Sequence, residues 1–231
     1  APVQQRGQAA LGRLGLPTRK QEAWRLTNLS RLEAVARMPV NGVATASDAP
    51  PCLDGVVRLV LGGVNHPLEG VTLPEGLTPL DPKELELALG HTLDRCGSSD
   101  DWLVEFNHAS AQQLLALRVR GTVPPLEITM AAASGLIPTR VLRVVEEKAQ
   151  LELLQVFSGR GEAAHSHLME VHLGQEAQFN HGVLACADGV AALFAQLAVE
   201  QEPRSTYNFT SVVQGWSLGR IEPRVVQVDG Q

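Results

Sequence analysis

Cysteine is scarce in this chain, which has three cysteines among 231 residues: Cys52, Cys96 and Cys186. Their number is odd, they lie far apart, and none belongs to a Cys-x-x-Cys pair. The sequence therefore predicts neither a disulfide framework nor a thiolate cluster site, and this usage fits a reducing compartment.

Basic residues are too few and too dispersed for a nucleic-acid-binding surface. Nineteen lysines and arginines stand against 25 aspartates and glutamates, which gives a net charge of -6. No segment collects the run of basic side chains that a phosphate backbone requires. We therefore expect no nucleic-acid partner.

Apolar stretches long enough to cross a membrane are also missing. The most apolar window, residues 182–199, is interrupted at its centre by Asp188 and Gly189. A spanning helix needs about 20 predominantly apolar residues. We therefore expect no membrane partner.

The first half of the chain does contain helix-start signals. Capping boxes, in which two side chains three positions apart bond free backbone amides, occur at Thr18/Gln21, Ser30/Glu33 and Asp81/Glu84. Leucines recur every four residues behind the last of them, at Leu85, Leu89 and Leu93. A shorter helix is expected after Ser99–Asp101, and a buried strand at residues 56–64. This region is predicted to be mainly helical, with one or two strands.

The second half differs in character. From about Leu115 onward, short apolar or alternating runs are separated by turn signals, which predicts strands. Residues 149–151 and 177–179 repeat at an offset of 28, which places Val145 over Leu173. Stacked coils of a β-solenoid produce such a period.

A weaker repeat sets residues 200–204 against residues 174–178 at an offset of 26. We therefore predict an α+β chain, with a helical and small α/β region at residues 1–121 and a β-solenoid at residues 122–231. A β-sandwich with coincidentally similar strands is the alternative that the periodicity leaves open.

One constellation suggests metal chemistry. On a strand, side chains alternate between faces, so His165 and His167 share one face, and the carboxylate of Glu170 follows. The pattern resembles the first motif of cupin metal sites, although only two residues separate His167 from Glu170 and no second cupin motif is recognisable. The alternative function is thus a cupin-like metal-binding protein or metalloenzyme. The competing interpretation places both histidines on the polar face of a solenoid strand.

The segment LPTRKQEAWRLTNL, residues 16–29, resembles the N-terminal signature of the SufD family, subunits of the SUF iron-sulfur cluster assembly machinery. Later segments, most clearly residues 141–181, resemble the successive β-helix coils of that family in order and spacing. Leu26 departs from the signature, since the family commonly has an aromatic there. The matching signature residues are Pro17, Thr18, Arg19, Lys20, Glu22, Trp24, Arg25, Thr27 and Leu29.

The resemblance implies a right-handed parallel β-helix in a non-enzymatic scaffold protein. SufD-like chains pair with a SufB-like chain through their β-helices and carry a SufC-like ABC ATPase. An iron-sulfur cluster is assembled transiently on the full complex, so no cofactor held stably by this chain is expected. The implied compartment is the cytoplasm, or the plastid stroma in a eukaryote.

The resemblance also implies C-terminal shortening, because family members are considerably longer and residues 228–231 fall in what looks like the middle of the solenoid. An incomplete solenoid exposes backbone edges and apolar rows, so we expect self-association through the β-helix. The C-terminal ATPase-binding helices of the family have no recognisable counterpart in this sequence. The resemblance therefore predicts no ATPase-binding residue here.

The signature residues allow two interpretations. In one, the cations Arg19, Lys20 and Arg25 form a docking surface for an acidic partner. In the other, Glu22 pairs with a neighbouring cation and Trp24 is buried as an anchor. We favour the second interpretation, because the segment supplies no nucleophile or base positioned by another group.

Overall fold

The computed structural model describes residues 2–40, 51–63, 65–111 and 113–228. The α-helices in these ranges are α1 (Pro2–Leu14), α2 (Leu29–Ala36), α3 (Pro82–Ala88), α4 (His91–Arg95) and α5 (Trp102–Ser110). None of these described helices has the length and apolar character needed to cross a membrane.

The described strands form two sheets. The early strands are β1 (Val57–Val60), β2 (Leu77–Pro79), β3 (Leu114–Val119), β4 (Leu126–Ala132) and β5 (Gly135–Val145). The later strands are β6 (Gln150–Gly159), β7 (Ala163–Leu173), β8 (Gln178–Ala187), β9 (Ala192–Gln201), β10 (Thr206–Gln214) and β11 (Leu218–Gln227).

The chain alternates between the two sheets from β3 onward. The five-stranded sheet has the order β1-β4-β6-β8-β10, and the six-stranded sheet has the order β11-β9-β7-β5-β3-β2. All of these neighbours pair in parallel except β2 with β3. Parallel stacking of successive coils is a β-solenoid, so the α+β prediction with a β-helix is confirmed and a sandwich of antiparallel strands is excluded.

The register confirms the main period and corrects the weaker one. Val145 pairs with Leu173, and Gln150 pairs with Gln178, both at the predicted offset of 28. The repeat at 26 is wrong, because Arg204 lies against Glu176, with 2.7 Å between Arg204 Nη2 and Glu176 Oε1.

The turns that follow three strands of the six-stranded sheet stack on one another. Lys148, Glu176 and Arg204 occupy equivalent positions, and each has left-handed backbone, with φ of 59°, 60° and 63°. The chain reverses there over very few residues, which left-handed backbone permits. Their charges alternate along the stack, and the hydrogen bond from Arg204 lowers the pKa of the Glu176 carboxyl.

The N-terminal helices follow the capping signals only in part. Asp81 and Glu84 form the predicted capping box of α3, but that helix ends at Ala88, and Gly90 breaks the leucine series with φ of 85°. Helix α2 forms as predicted, with a different N-cap: Asn28, whose side chain accepts from Arg31 N at 3.1 Å.

The helix predicted to begin at Thr18 is wrong. The chain turns there, with Gln21 N bonded to Thr18 O at 3.1 Å, and continues as a single 3-10 turn, Glu22–Trp24. The hydrogen bond from Thr18 N to Gln21 Oε1, at 2.8 Å, is the half of the capping box that survives. A straight helix would carry Trp24 away from the core in which it is buried, so tertiary packing overrides the local signal.

The sheets begin before residue 122. The N-terminal region holds three strands rather than one or two, and β1 and β3 pair in parallel with β4 and β5. The division into residues 1–121 and 122–231 therefore stays a prediction.

The helices pack on one side of the solenoid. Helices α4 and α5 contact strands of the six-stranded sheet, and α1 packs against α5. Asn107 of α5 fixes this layer, because its Nδ2 donates to the backbone oxygens of Thr139 (3.1 Å) and Ser166 (2.7 Å).

Candidate functional site

A chain of hydrogen bonds crosses the interior of the solenoid from one sheet to the other. In the six-stranded sheet, Thr139 Oγ1 lies 2.8 Å from His167 Nδ1. The amide of Gln155, from the five-stranded sheet, lies 2.8 Å from His167 Nε2 and 2.9 Å from His181 Nε2. His181 Nδ1 then meets the hydroxyl of Tyr207 at 3.0 Å.

A single arrangement of protons is consistent with every hydrogen bond in this series of side chains. Tyr207 O–H donates to His181 Nδ1, and His181 Nε2–H donates to the amide oxygen of Gln155. The Gln155 amide nitrogen donates to His167 Nε2, so His167 carries its proton on Nδ1 and donates to Thr139. The Thr139 hydroxyl is left to donate to the sulfur of Met130, 3.6 Å away. Both imidazoles are then neutral.

Burial enforces that neutrality. His167 and His181 are 1% and 3% exposed, and removal from water lowers the pKa of each ring from 6.5 to about 3. Burial also raises the pKa of the Tyr207 hydroxyl. The hydrogen-bond chain is therefore a neutral, directional polar network that extends from the buried core to the partly buried hydroxyl of Tyr207.

His165 is a separate buried imidazole. Its ring is 0% exposed, its Nε2 lies 2.9 Å from Ser158 O, and its Nδ1 has no partner among the described residues. It contacts Phe157 and Trp216 edge to face. Burial lowers the pKa of His165 to about 4, so this ring is also neutral.

Arg143 is the largest fully buried side chain. Its Nη1 reaches the backbone oxygens of Leu142 (3.2 Å) and Leu115 (3.4 Å), while Nε and Nη2 have no hydrogen-bond partner among the described residues. No ion pair compensates its charge within the described part of the chain. Desolvation accordingly lowers the pKa of the guanidinium to about 9.

Glu170 does not lie with the two histidines. His165 and His167 share a face of β7, as predicted, but that face is the buried interior and not a polar surface. Three positions beyond His167, Glu170 points the other way, where it accepts from Arg140 Nη2 (3.0 Å) and Gly90 N (2.9 Å). Burial raises the pKa of the Glu170 carboxyl, and the ion pair with Arg140 opposes that shift.

The structure therefore separates the three residues of the predicted metal set. Among the described residues, no group of three histidine, cysteine, aspartate or glutamate side chains is placed to hold a metal ion. The carboxylate instead ties the α3–α4 connection to the outer side of the six-stranded sheet.

The signature segment, residues 16–29, contacts β11, the last described strand of the six-stranded sheet. Trp24 is 8% exposed and meets Trp102 of α5 edge to face, with 6.1 Å between ring centroids. Arg220 of β11 covers its ring, with Cζ 4.1 Å from the ring centroid. The same guanidinium donates from Nη1 to Ala23 O (2.8 Å) and Thr27 Oγ1 (3.1 Å).

The other signature residues are mostly at the surface. Pro17 is buried, whereas Thr18, Arg19 and Lys20 are exposed. Arg25 and Glu22 form an exposed ion pair at 3.3 Å. The geometry thus divides the segment into an anchored part around Trp24 and a solvent-facing part, whose role as a docking surface stays a prediction.

Sequence reasoning missed Gln155, Tyr207 and Arg143. Alternation within the strands, combined with the period of 28, would have placed all of them on the interior face. What the sequence does not signal is that the stacked coils bring an amide within 3 Å of two imidazoles.

Residues 128–231 match the family model described as SUF system FeS cluster assembly, SufBD core domain. The matched range begins within β4 and takes in every later strand. No curated protein matches the chain. This part of the chain is therefore similar to the core domain of SufB and SufD proteins.

Proposed function

We propose that this protein is a SufD-type, non-enzymatic scaffold subunit of the SUF iron-sulfur cluster assembly machinery. The observation that carries the proposal is the SufBD core domain match over residues 128–231, which falls on an unbroken run of parallel coils. The anchoring of Trp24 by Arg220 adds support, because it links the SufD-like signature to the last described strand of that domain.

The scaffold role also agrees with the state of the polar side chains. The interior histidines are neutral and enclosed, so they stabilise a defined core and do not meet a substrate. The exposed cations of the signature segment and the exposed outer residues of β10 are available to protein partners. The iron-sulfur cluster is the cargo of the assembled complex, and the partners we propose are a SufB-like chain and a SufC-like ATPase.

Size-exclusion chromatography tests the proposal. The chain is mixed with a SufB-like chain, with a SufC-like ATPase, and with both together. We expect co-elution with the SufB-like chain, and recruitment of the ATPase into the ternary mixture. If the chain elutes alone in all three mixtures, the scaffold proposal is wrong.

A further inference from the structure

A groove of about 440 Å³ lies on the outer face of the five-stranded sheet, opposite the face of the solenoid that carries α4 and α5. Its apolar wall includes Leu53, Val56 and Leu154. Its polar rim includes Glu152, Asn180 and Asn208. Grooves of this size, with apolar walls and a few polar groups, are typical ligand sites.

One position in a stacked column at the floor of the groove lacks a side chain. Leu154, Gly182 and Thr210 are aligned across β6, β8 and β10. A Cβ atom added to Gly182 would lie 3.2 Å from Leu154 Cδ1, so the leucine side chain lies close against the glycine. The flanking column is Glu152, Asn180 and Asn208.

The charge that the described residues give the groove is negative. Glu127 is paired with Arg58 at 2.8 Å, but Glu152 is exposed and has no ion pair with any described residue. No lysine or arginine is found among the described residues that line the groove. Asn208 Nδ2 is bonded to Asn180 Oδ1 at 2.9 Å, which leaves the amide oxygen of Asn208 as a further acceptor.

An apolar trough with a carboxylate at its rim suits one kind of side chain. Lysine and arginine bury a methylene stem along apolar surface and keep the cation in a polar environment. A stem lying over Gly182 beside Leu154 brings its cation toward Glu152. The exposed amide of Asn180 and hydroxyl of Thr210 offer hydrogen-bonding groups to the backbone that carries such a side chain.

We propose that this groove binds a lysine or arginine side chain from an extended segment of a partner protein. The observations that carry the proposal are the apolar wall of Leu53, Val56 and Leu154, the exposed carboxylate of Glu152, and the lack of a cation among the described residues that line the groove. The proposal is independent of the iron-sulfur role, because none of these observations depends on it.

NMR titration of the full 15N-labelled chain with the peptide Ac-Val-Lys-Val-Lys-Val-NH2 tests the proposal. We expect saturable shifts of the amide signals of Asn180, Gly182 and Asn208, and weaker binding of the same peptide with glutamate in place of lysine. Glu152→Gln should weaken binding of the lysine peptide about two- to fivefold, the range for an exposed ion pair. Glu86→Gln removes an equally exposed charge from α3, outside the groove, and should change nothing.

Gly182→Leu fills the groove without altering its charge, and should abolish the saturable shifts while the spectrum keeps its dispersion. If that variant is unfolded, the Glu152→Gln comparison decides alone, because residue 152 is exposed. Equal affinity for the lysine and glutamate peptides would overturn the proposal. So would shifts that map elsewhere on the chain, or lysine-peptide binding that Glu152→Gln leaves unchanged.

Discussion

The guanidinium carbon of Arg220 lies 4.1 Å from the centroid of the Trp24 ring. Trp24 belongs to a 3-10 turn near the N-terminus and Arg220 to the last described strand of the six-stranded sheet, so the contact closes the N-terminal layer onto a late coil. Because the cation also bonds the backbone and hydroxyl of the same segment, the two parts of the chain should be thermodynamically coupled.

Replacing Trp24 with alanine tests that coupling. The variant loses the contacts with Trp102 and Arg220 and leaves a cavity, so we expect the free energy of unfolding to fall by about 3–5 kcal/mol. Urea denaturation measures the change. Arg25→Ala, one residue away and 62% exposed, is the matched control and should cost less than about 1 kcal/mol. Equal losses in the two variants would contradict the anchor role.

The neutral histidines predict a pH dependence of stability. The pKa of His167 is about 3 in the folded chain, against an ordinary value of 6.5. Below pH 6.5 the unfolded chain therefore binds a proton that the folded chain excludes. Each such histidine should lower stability by about 1.4 kcal/mol per pH unit as the pH falls from 6.5 toward 3.

His167→Gln isolates this contribution, because glutamine keeps a donor and an acceptor for Thr139 and Gln155 but does not titrate. Urea denaturation at a series of pH values between 7.5 and 4.5 should give the variant a shallower slope below pH 6.5. His66→Gln, in an exposed loop, controls for the loss of a histidine. Parallel curves for the His167 variant and the parent chain would rule out this account.

The left-handed backbone at Lys148 predicts that a glycine variant is more stable than the parent chain and that a valine variant is less stable. Left-handed backbone costs a non-glycine residue about 1–2 kcal/mol, and a β-branched side chain tolerates it worst. Lys148→Gly removes this backbone cost but increases the conformational entropy of the unfolded chain. The net effect should be a rise of about 0.5–1 kcal/mol in the free energy of unfolding. Lys148→Val should lower it by at least about 1 kcal/mol. Thermal denaturation ranks the variants, and a valine variant as stable as the glycine variant would refute the argument.

Arg143 predicts a stabilising substitution in the core. Replacing buried charged groups by apolar side chains of similar volume is often neutral or stabilising, by up to about 4 kcal/mol for an ion pair. Arg143 has no ion pair with a described residue that the substitution would break. We expect Arg143→Met to raise the urea midpoint. Arg118→Met is the matched control, because that arginine is paired with Glu84 and Glu146 and its loss should lower the midpoint. A lower midpoint for Arg143→Met would show that its charge is compensated by a group that binds to it.

Local sequence signals predicted the structure well where tertiary packing agrees with them. The capping box of Asp81 and Glu84 and the period that sets Val145 over Leu173 are both present in the structure. The helix start at Thr18 failed because burial of Trp24 requires a turn there. The predicted metal set is divided between two faces of β7, as alternation requires: Glu170 lies an odd number of positions from His167 and faces the other way.

The sequence by itself determined the helix start at Asp81, the order of the strands, the 28-residue period and the excess of acidic charge, because each depends on neighbouring residues or on composition. Only the tertiary structure decided that His167 and His181 share one glutamine amide, that Arg220 covers Trp24, and that Leu154 and Gly182 lie with Glu152 in one groove. These relationships join residues on different coils. They depend on how the coils stack and which face is covered, and distances of that kind are fixed when the apolar surfaces pack together.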